Sequence, residues 1–287
     1  NYILNPVSSQ IFSIYFAYQC GLMGTLDLSG LTNLGGNIQF HSNPSLNYVL
    51  NPTSSQSISS YQAFSCDLIG TLDISGLTGL NGSFSAADND KLNYILNPSI
   101  NTYMNYQVYN CGLINTLNTR PMKNLQTLYT QNNSSLNTIL IDTSALISYQ
   151  ANNCNLLGTL DVSAQSNLSD FRVYNNPNLN YILNPSSNQL FTEYSVNNCG
   201  LIGTLDLRSV KRLGGTILLY VNSSLNTILN PDSSAVINTY HAYNCKLTGT
   251  LDISSLTGLG GEFSVQNNGL LNYILNPSSN QLTTLPE

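Results

Sequence analysis

The chain has 287 residues and a formal net charge of −6, with only 8% charged residues against 41% hydrophobic ones. Globular chains carry about 25% charged residues on average, so the polarity here rests on amides and hydroxyls, including 42 asparagines. Eight Lys and Arg against fourteen Asp and Glu exclude a phosphate-tracking nucleic-acid binder, which needs clustered cations; no apolar run nears the roughly 20 residues of a membrane span.

From the N-terminus, the chain opens on Asn1 without a basic start and an apolar run, so no signal peptide is expected. It is expected to be part of a longer chain or assembly. The first clear signal is Tyr15-x-Ala17-x-x-Cys20-x-Leu22, a period-two alternation running into a turn, which predicts a short strand. A second phrase, GTLDLSGLTNLGG at 24–36, leads to an apolar-x-apolar-x-x-Asn step that ends at Asn43. A third, LNYVLNP at 46–52, closes the round. The rest of the chain repeats this order. The Leu-Asn phrase returns at 92–98, 179–185, 225–231 and 271–277, and the GTLD phrase at 70–82, 158–168, 203–215 and 249–261.

Cys20, Cys66, Cys111, Cys154, Cys199 and Cys245 stand 46, 45, 43, 45 and 46 residues apart, with Asn43, Asn89, Asn133, Asn176, Asn222 and Asn268 midway between or beyond them. Marker to marker the steps are 21 to 23 residues, so the period is that of a solenoid. The pattern resembles the leucine-rich repeat, L-x-x-L-x-L-x-x-N/C-x-L, with Tyr often in the second leucine position and Asn and Cys alternating at the N/C position. The NC-x-L-x-GTLDLS phrase is especially similar to leucine-rich repeats of bacterial cell-surface proteins. The resemblance implies one mainly β solenoid over 1–287, with about twelve turns of alternating Cys and Asn type. The Asn-Pro-Ser-Ser and Gly-Gly arms have no helical period, so few or no helices are expected.

Like residues in successive copies should form ladders. Strands stack about 4.8 Å apart, which puts cysteines of alternate turns beyond the ~7 Å Cα limit of a disulfide. Six buried free thiols are expected. The asparagines are expected to pair with the backbone of their own and adjoining turns. Asp27, Asp73, Asp161, Asp206 and Asp252, with Asn118 in the missing place, read as turn caps. They are too far apart for a catalytic pair and too dispersed for calcium. His41 and His241 fall nine turns apart, and no GxSxG, Walker loop, HExxH or GxGxxG occurs. No enzyme, metal or cofactor is expected.

Function should then lie in the outward strand positions, which vary from copy to copy. These form two rows of aromatics and amides, read as a continuous face nearly free of charge. Phe16, Tyr18, Phe64, Tyr109, Tyr129, Arg172, Tyr174, Tyr220, His241 and Tyr243 are the candidate ligand-binding residues. Rigid aromatics with adaptable amides suit a protein or carbohydrate partner. The expected role is non-enzymatic adhesion or recognition outside a cell, at a cell surface or on a virus particle. The alternative is a structural subunit of a fibre, sheath or virion appendage that self-associates end to end through open strands. A Thr row at 25, 71, 116, 159, 204 and 250 alternates with Tyr or Thr and so makes no flat ice-binding array. Sequons at Asn81, Asn133 and Asn222 read as exposed. The third Cys-type copy departs from the rest at Asn118-Thr-Arg120-Pro-Met-Lys123 and Ile141-Asp142-Thr143.

Overall fold

Each alternating segment before a Cys or Asn marker becomes a short strand, and within each compact unit the strand pairs with its counterpart one turn on. The computed structural model describes residues 12–31, 33–55, 57–99, 104–186 and 190–277, in two compact units, 1–143 and 144–287. In the first unit Phe12–Phe16, Leu34–Gln39, Ile58–Gln62, Leu80–Ser85, Met104–Gln107 and Leu125–Tyr129 pair in that order, all parallel. In the second, Ser148–Gln150, Asp170–Arg172, Phe191–Ser195, Leu213–Leu218, Ser234–His241 and Leu259–Ser264 do the same. With six turns in each unit, the chain is a parallel β-solenoid of twelve turns of 21 to 23 residues, and the described residues hold no helix.

The arms form a second wall of strands, paired only two at a time. Met23–Asp27 pairs with Ser45–Leu50, Ile69–Asp73 with Lys91–Leu96, and Ile114–Asn118 with Ser135–Leu140. In the second unit Gly158–Asp161 pairs with Leu179–Leu183, Ile202–Asp206 with Ser224–Leu229, and Thr248–Asp252 with Leu270–Leu275. A bulge after the first or second residue of each pairing swings the strand outward, and it needs left-handed backbone. Gly24 supplies φ 70°, and where the third copy lacks glycine, Asn115 takes φ 58°, as asparagine tolerates best among larger residues.

Inward side chains fill each turn. Phe40, Tyr61, Phe84 and Tyr106 are fully buried, and their rings meet in succession at 5.3, 5.6 and 5.0 Å. Burying each ring contributes roughly 1.5–3 kcal/mol, provided its hydroxyl finds a partner. Tyr61, Tyr106, Tyr194 and Tyr240 donate to the Oδ1 of Asn51, Asn97, Asn184 and Asn230, the asparagines of the Leu-Asn-Pro phrases. These amides in turn donate to the carbonyls of Asp73, Asn118, Asp206 and Asp252. The Asn-Pro step thus anchors the core tyrosine and the following arm.

The marker asparagines act as internal braces. Asn43 accepts from Cys20 N and Leu22 N, both at 3.0 Å, and donates to the carbonyls of Ala17 and Phe40. Asn89, Asn133, Asn176, Asn222 and Asn268 also join their own turn to the preceding one. Asn133 and Asn222 are fully buried, so these two sequons are closed to an oligosaccharide in the folded chain; Asn81 remains half-buried.

All six cysteines are free. The thiols of Cys66, Cys111, Cys199 and Cys245 point at carbonyls of the preceding turn, those of Phe40, Ala86, Val173 and Leu219. Burial differs from the expectation at one end of the ladder: Cys111, Cys154, Cys199 and Cys245 are buried, Cys66 is half-buried and Cys20 is exposed. Cys20 stands in the first described turn, where no described turn packs in front of it. The Asp positions do cap turns: Asp27, Asp73, Asp161 and Asp252 accept from both the backbone N–H and the hydroxyl of a Ser two residues on. Those donors hold the Asp27 and Asp252 carboxyls below the usual range, the Ser hydroxyl having the larger effect.

Candidate functional site

Parallel register converts the outward positions into straight rows. In the first unit Phe16, Gln39, Gln62, Ser85, Gln107 and Tyr129 are successive partners. In the second, Gln150, Arg172, Ser195, Leu218, His241 and Ser264 are. Two residues on, past the strand ends, backbone hydrogen bonds from Gln19 to His41, Ser42 to Phe64 and Asp88 to Tyr109 keep the second row aligned. The same bonds run from Asn153 to Tyr174, Asn198 to Tyr220 and Val221 to Tyr243. All ten candidate residues therefore lie on these rows, but they are not equivalent.

In the first unit Tyr18, His41 and Phe64 form one stack, with centroids 4.9 and 4.3 Å apart and planes within 8°; Phe16 meets Tyr18 edge-on at 5.8 Å. Burial between the rings lowers the His41 pKa. In the second unit Tyr220 and Tyr243 stack at 4.6 Å, with His241 tilted against both. Partial burial raises the Tyr220 and Tyr109 pKa values. Because such rings stack on one another along the rows, much of their faces is covered and their edges are what they offer to a partner.

The face is not continuous. Ser85 and Ala87 are buried between larger neighbours on either side, as are Ser195 and Asn197, whose side chains bond each other at 2.9 Å. Each unit is left with two patches, Phe16 to Phe64 and Tyr109 with Tyr129 in the first, Arg172 with Tyr174 and Leu218 to Tyr243 in the second. Nor is it nearly free of charge. A third outward row lies one further alternation upstream, and in the second unit it carries Asp170, Glu193, Thr216, Thr239 and Glu262 in register. Arg172 Nε donates to Asp170 at 2.7 Å, and burial raises the Glu193 pKa. His241 Nε2 lies 3.1 Å from Glu262, close enough for charge pairing when protonated but without hydrogen-bond alignment. Continuing the period-two alternation one step would have found this row.

A second exposed surface lies on the arm strands, at positions that repeat so faithfully that they suggest core. Tyr48, Leu50, Tyr94, Leu96, Tyr181 and Leu183 are each 40–50% exposed. Thr25 and Asp27 stand in register with Tyr48 and Leu50, Thr71 and Asp73 with Tyr94 and Leu96, and Thr159 and Asp161 with Tyr181 and Leu183. The bulge sends Leu46 and Val49 inward, spaced by three, and leaves Tyr48 and Leu50 outside. The readable signal was the exchange of Tyr for Thr138 and Thr227 in two copies, freedom that a packed position lacks.

Comparison with solved structures finds similarity to a leucine-rich repeat protein from Bacteroides ovatus ATCC 8483, with a TM-score of 0.50, 16% identity, and coverage of 91% of this chain and 77% of that one. No protein-family model and no curated protein matches. At that identity the likeness concerns the fold. The chain is a repeat protein with the leucine-rich-repeat solenoid fold.

Proposed function

We propose that the chain is a non-enzymatic recognition module, acting outside a cell or on a virus particle, that holds a protein partner on the outward rows of its longer parallel sheet. The observation that carries this is the pair of stacked aromatic clusters, Tyr18–His41–Phe64 and Tyr220–His241–Tyr243. Mutually stacked rings lose little entropy on binding and are the side chains that dominate protein interfaces. Edge-presented rings favour a protein over a sugar, which stacks on an open ring face.

Panning the native chain against a display library of extracellular protein domains, and rebinding the selected partner to a Tyr220→Ala, Tyr243→Ala variant, tests this reading. Loss of about tenfold or more in affinity at unchanged melting temperature is expected. Equal binding by the variant refutes the placement of the site. Electron microscopy of the same material addresses the structural alternative: end-to-end filaments would make the aromatic rows packing surface.

A further inference from the structure

The arm wall has grooves that recur with the repeat. Between the first pair of arm strands and the second lies a seam, where Leu50 and Asn51 face Asp73 and Ser75 across a cavity of 490 Å³. Equivalent seams at Leu183, Asn184 and Asp206, and at Leu229, Asn230 and Asp252, hold 610 and 360 Å³. Each combines a leucine, an amide and a carboxylate, and Arg208 also lines the second and third. In the first seam Ser75 ties down Asp73 Oδ1 through its hydroxyl and N–H at 2.7 and 2.9 Å, fixing the carboxylate as an oriented acceptor. Beside this seam stand Tyr48 and Tyr94, exposed, with no ring among the described residues stacked on them.

We propose that the first seam of this wall, independently of the sheet face, binds an extended, neutral, hydroxyl-rich polysaccharide running along the stack of turns. Three observations select that occupant. The first groove is lined by Asp73 and by no cation, with Asp27 in register with its Leu50, so it suits a donor-rich uncharged ligand and repels a sulfated or phosphorylated one. The same charges oppose pairing with a second copy, which would set carboxylate rows against each other. Tyr48 and Tyr94 occupy the same register position two turns apart. They stand in the strand pairs on either side of the first seam, so sugars of an extended β-1,4-linked glycan laid across it meet a tyrosine ring on each side and their hydroxyls meet the carboxylate between.

The test is calorimetric titration of the native chain with cellohexaose and with the hexamer of β-1,4-N-acetylglucosamine. The variant is Tyr48→Thr with Tyr94→Thr, which copies the chain's own Thr138 and Thr227 and so keeps the fold; Asp73→Asn keeps the turn cap, as Asn118 does toward Arg120 N in the third copy. One hexasaccharide is expected to bind, with affinity falling about tenfold in either variant and unchanged in Tyr220→Ala, Tyr243→Ala. The proposal is overturned if neither sugar binds the native chain, if the threonine variant binds as well as native, or if the sheet-face variant loses the sugar instead. A protein partner lost only on the sheet-face variant leaves the earlier reading standing whatever the sugars do.

Discussion

Replacing Asn89 by Ala tests the brace that joins successive turns. Asn89 is fully buried; its Oδ1 accepts from Leu68 N at 3.1 Å and its Nδ2 donates to the carbonyls of Ala63, Ala86 and Ala87 at 3.0, 2.9 and 3.1 Å. Truncation leaves Ala86 with the Cys111 thiol and Ala87 with Ser65 N, so the cost falls on Leu68 N–H and the Ala63 carbonyl. Each orphaned buried group costs about 1–3 kcal/mol, and the sum with the small cavity is about 3–5 kcal/mol, a large share of a typical 5–15 kcal/mol. Asn89→Asp keeps the acceptor toward Leu68 but turns an oxygen toward three carbonyls. Its carboxyl should be protonated more readily folded than unfolded, so its stability deficit should shrink as pH falls and widen as pH rises through the folded-state pKa. Urea unfolding followed by circular dichroism, with hydrogen exchange at the Leu68 amide, measures both. A loss under about 1 kcal/mol for Asn89→Ala, or an Asn89→Asp deficit that does not vary with pH, refutes the brace.

The thiols and core tyrosines give two more outcomes. Burial pushes Cys66 and Cys245 up to about 11, and Cys111 and Cys199 to about 12. Alkylation at neutral pH should label Cys20 first, Cys66 slowly and the remaining four only on unfolding; rapid labelling of Cys111 or Cys199 in the native chain contradicts the burial. The buried Tyr149 hydroxyl has no partner among the described residues, whereas Tyr194 donates to Asn184 at 2.6 Å. Tyr194→Phe should therefore cost about 1 kcal/mol and Tyr149→Phe nothing, or should stabilise; equal costs by thermal unfolding would show that Tyr149 has a partner.

Much of the fold was legible because the repeat reports register directly. The Cys and Asn markers fix where each turn closes, and once one Tyr-x-Ala-x-x-Cys step is a strand, every copy must be. Parallel pairing at matched positions then places Phe16 on Gln39, and Tyr106 on Phe84, without further information. The tyrosine–asparagine anchor was less legible. Nothing local to Tyr61 points to Asn51, ten residues back and across the turn, until the backbone brings them to 3.0 Å. With that contact known, the departure at Ile141 becomes readable: the phrase before Tyr149 carries isoleucine where the others carry asparagine, and Tyr149 is the core tyrosine with an orphaned hydroxyl.

The exposed faces were harder to read because repetition has two causes. A residue returns in every copy when the core demands it, and also when a periodic surface is kept. In Leu46-Asn-Tyr-Val-Leu50 strict alternation would place Leu46, Tyr48 and Leu50 on one side. The bulge opposite Gly24 adds a residue to that count, so Leu46 and Val49 go inside and Tyr48 and Leu50 face solvent. A single left-handed glycine, at φ 70°, thereby decides which half of an apolar phrase is core and which is surface. The sheet rows misled in the opposite sense. Their residues vary, and variation was equated with exposure, yet Ser85, Ala87, Ser195 and Asn197 are buried because large neighbours on adjacent strands close over small side chains. Exposure on a short-strand solenoid therefore depends on the size of the residue one turn above and below as much as on the side of the sheet it occupies.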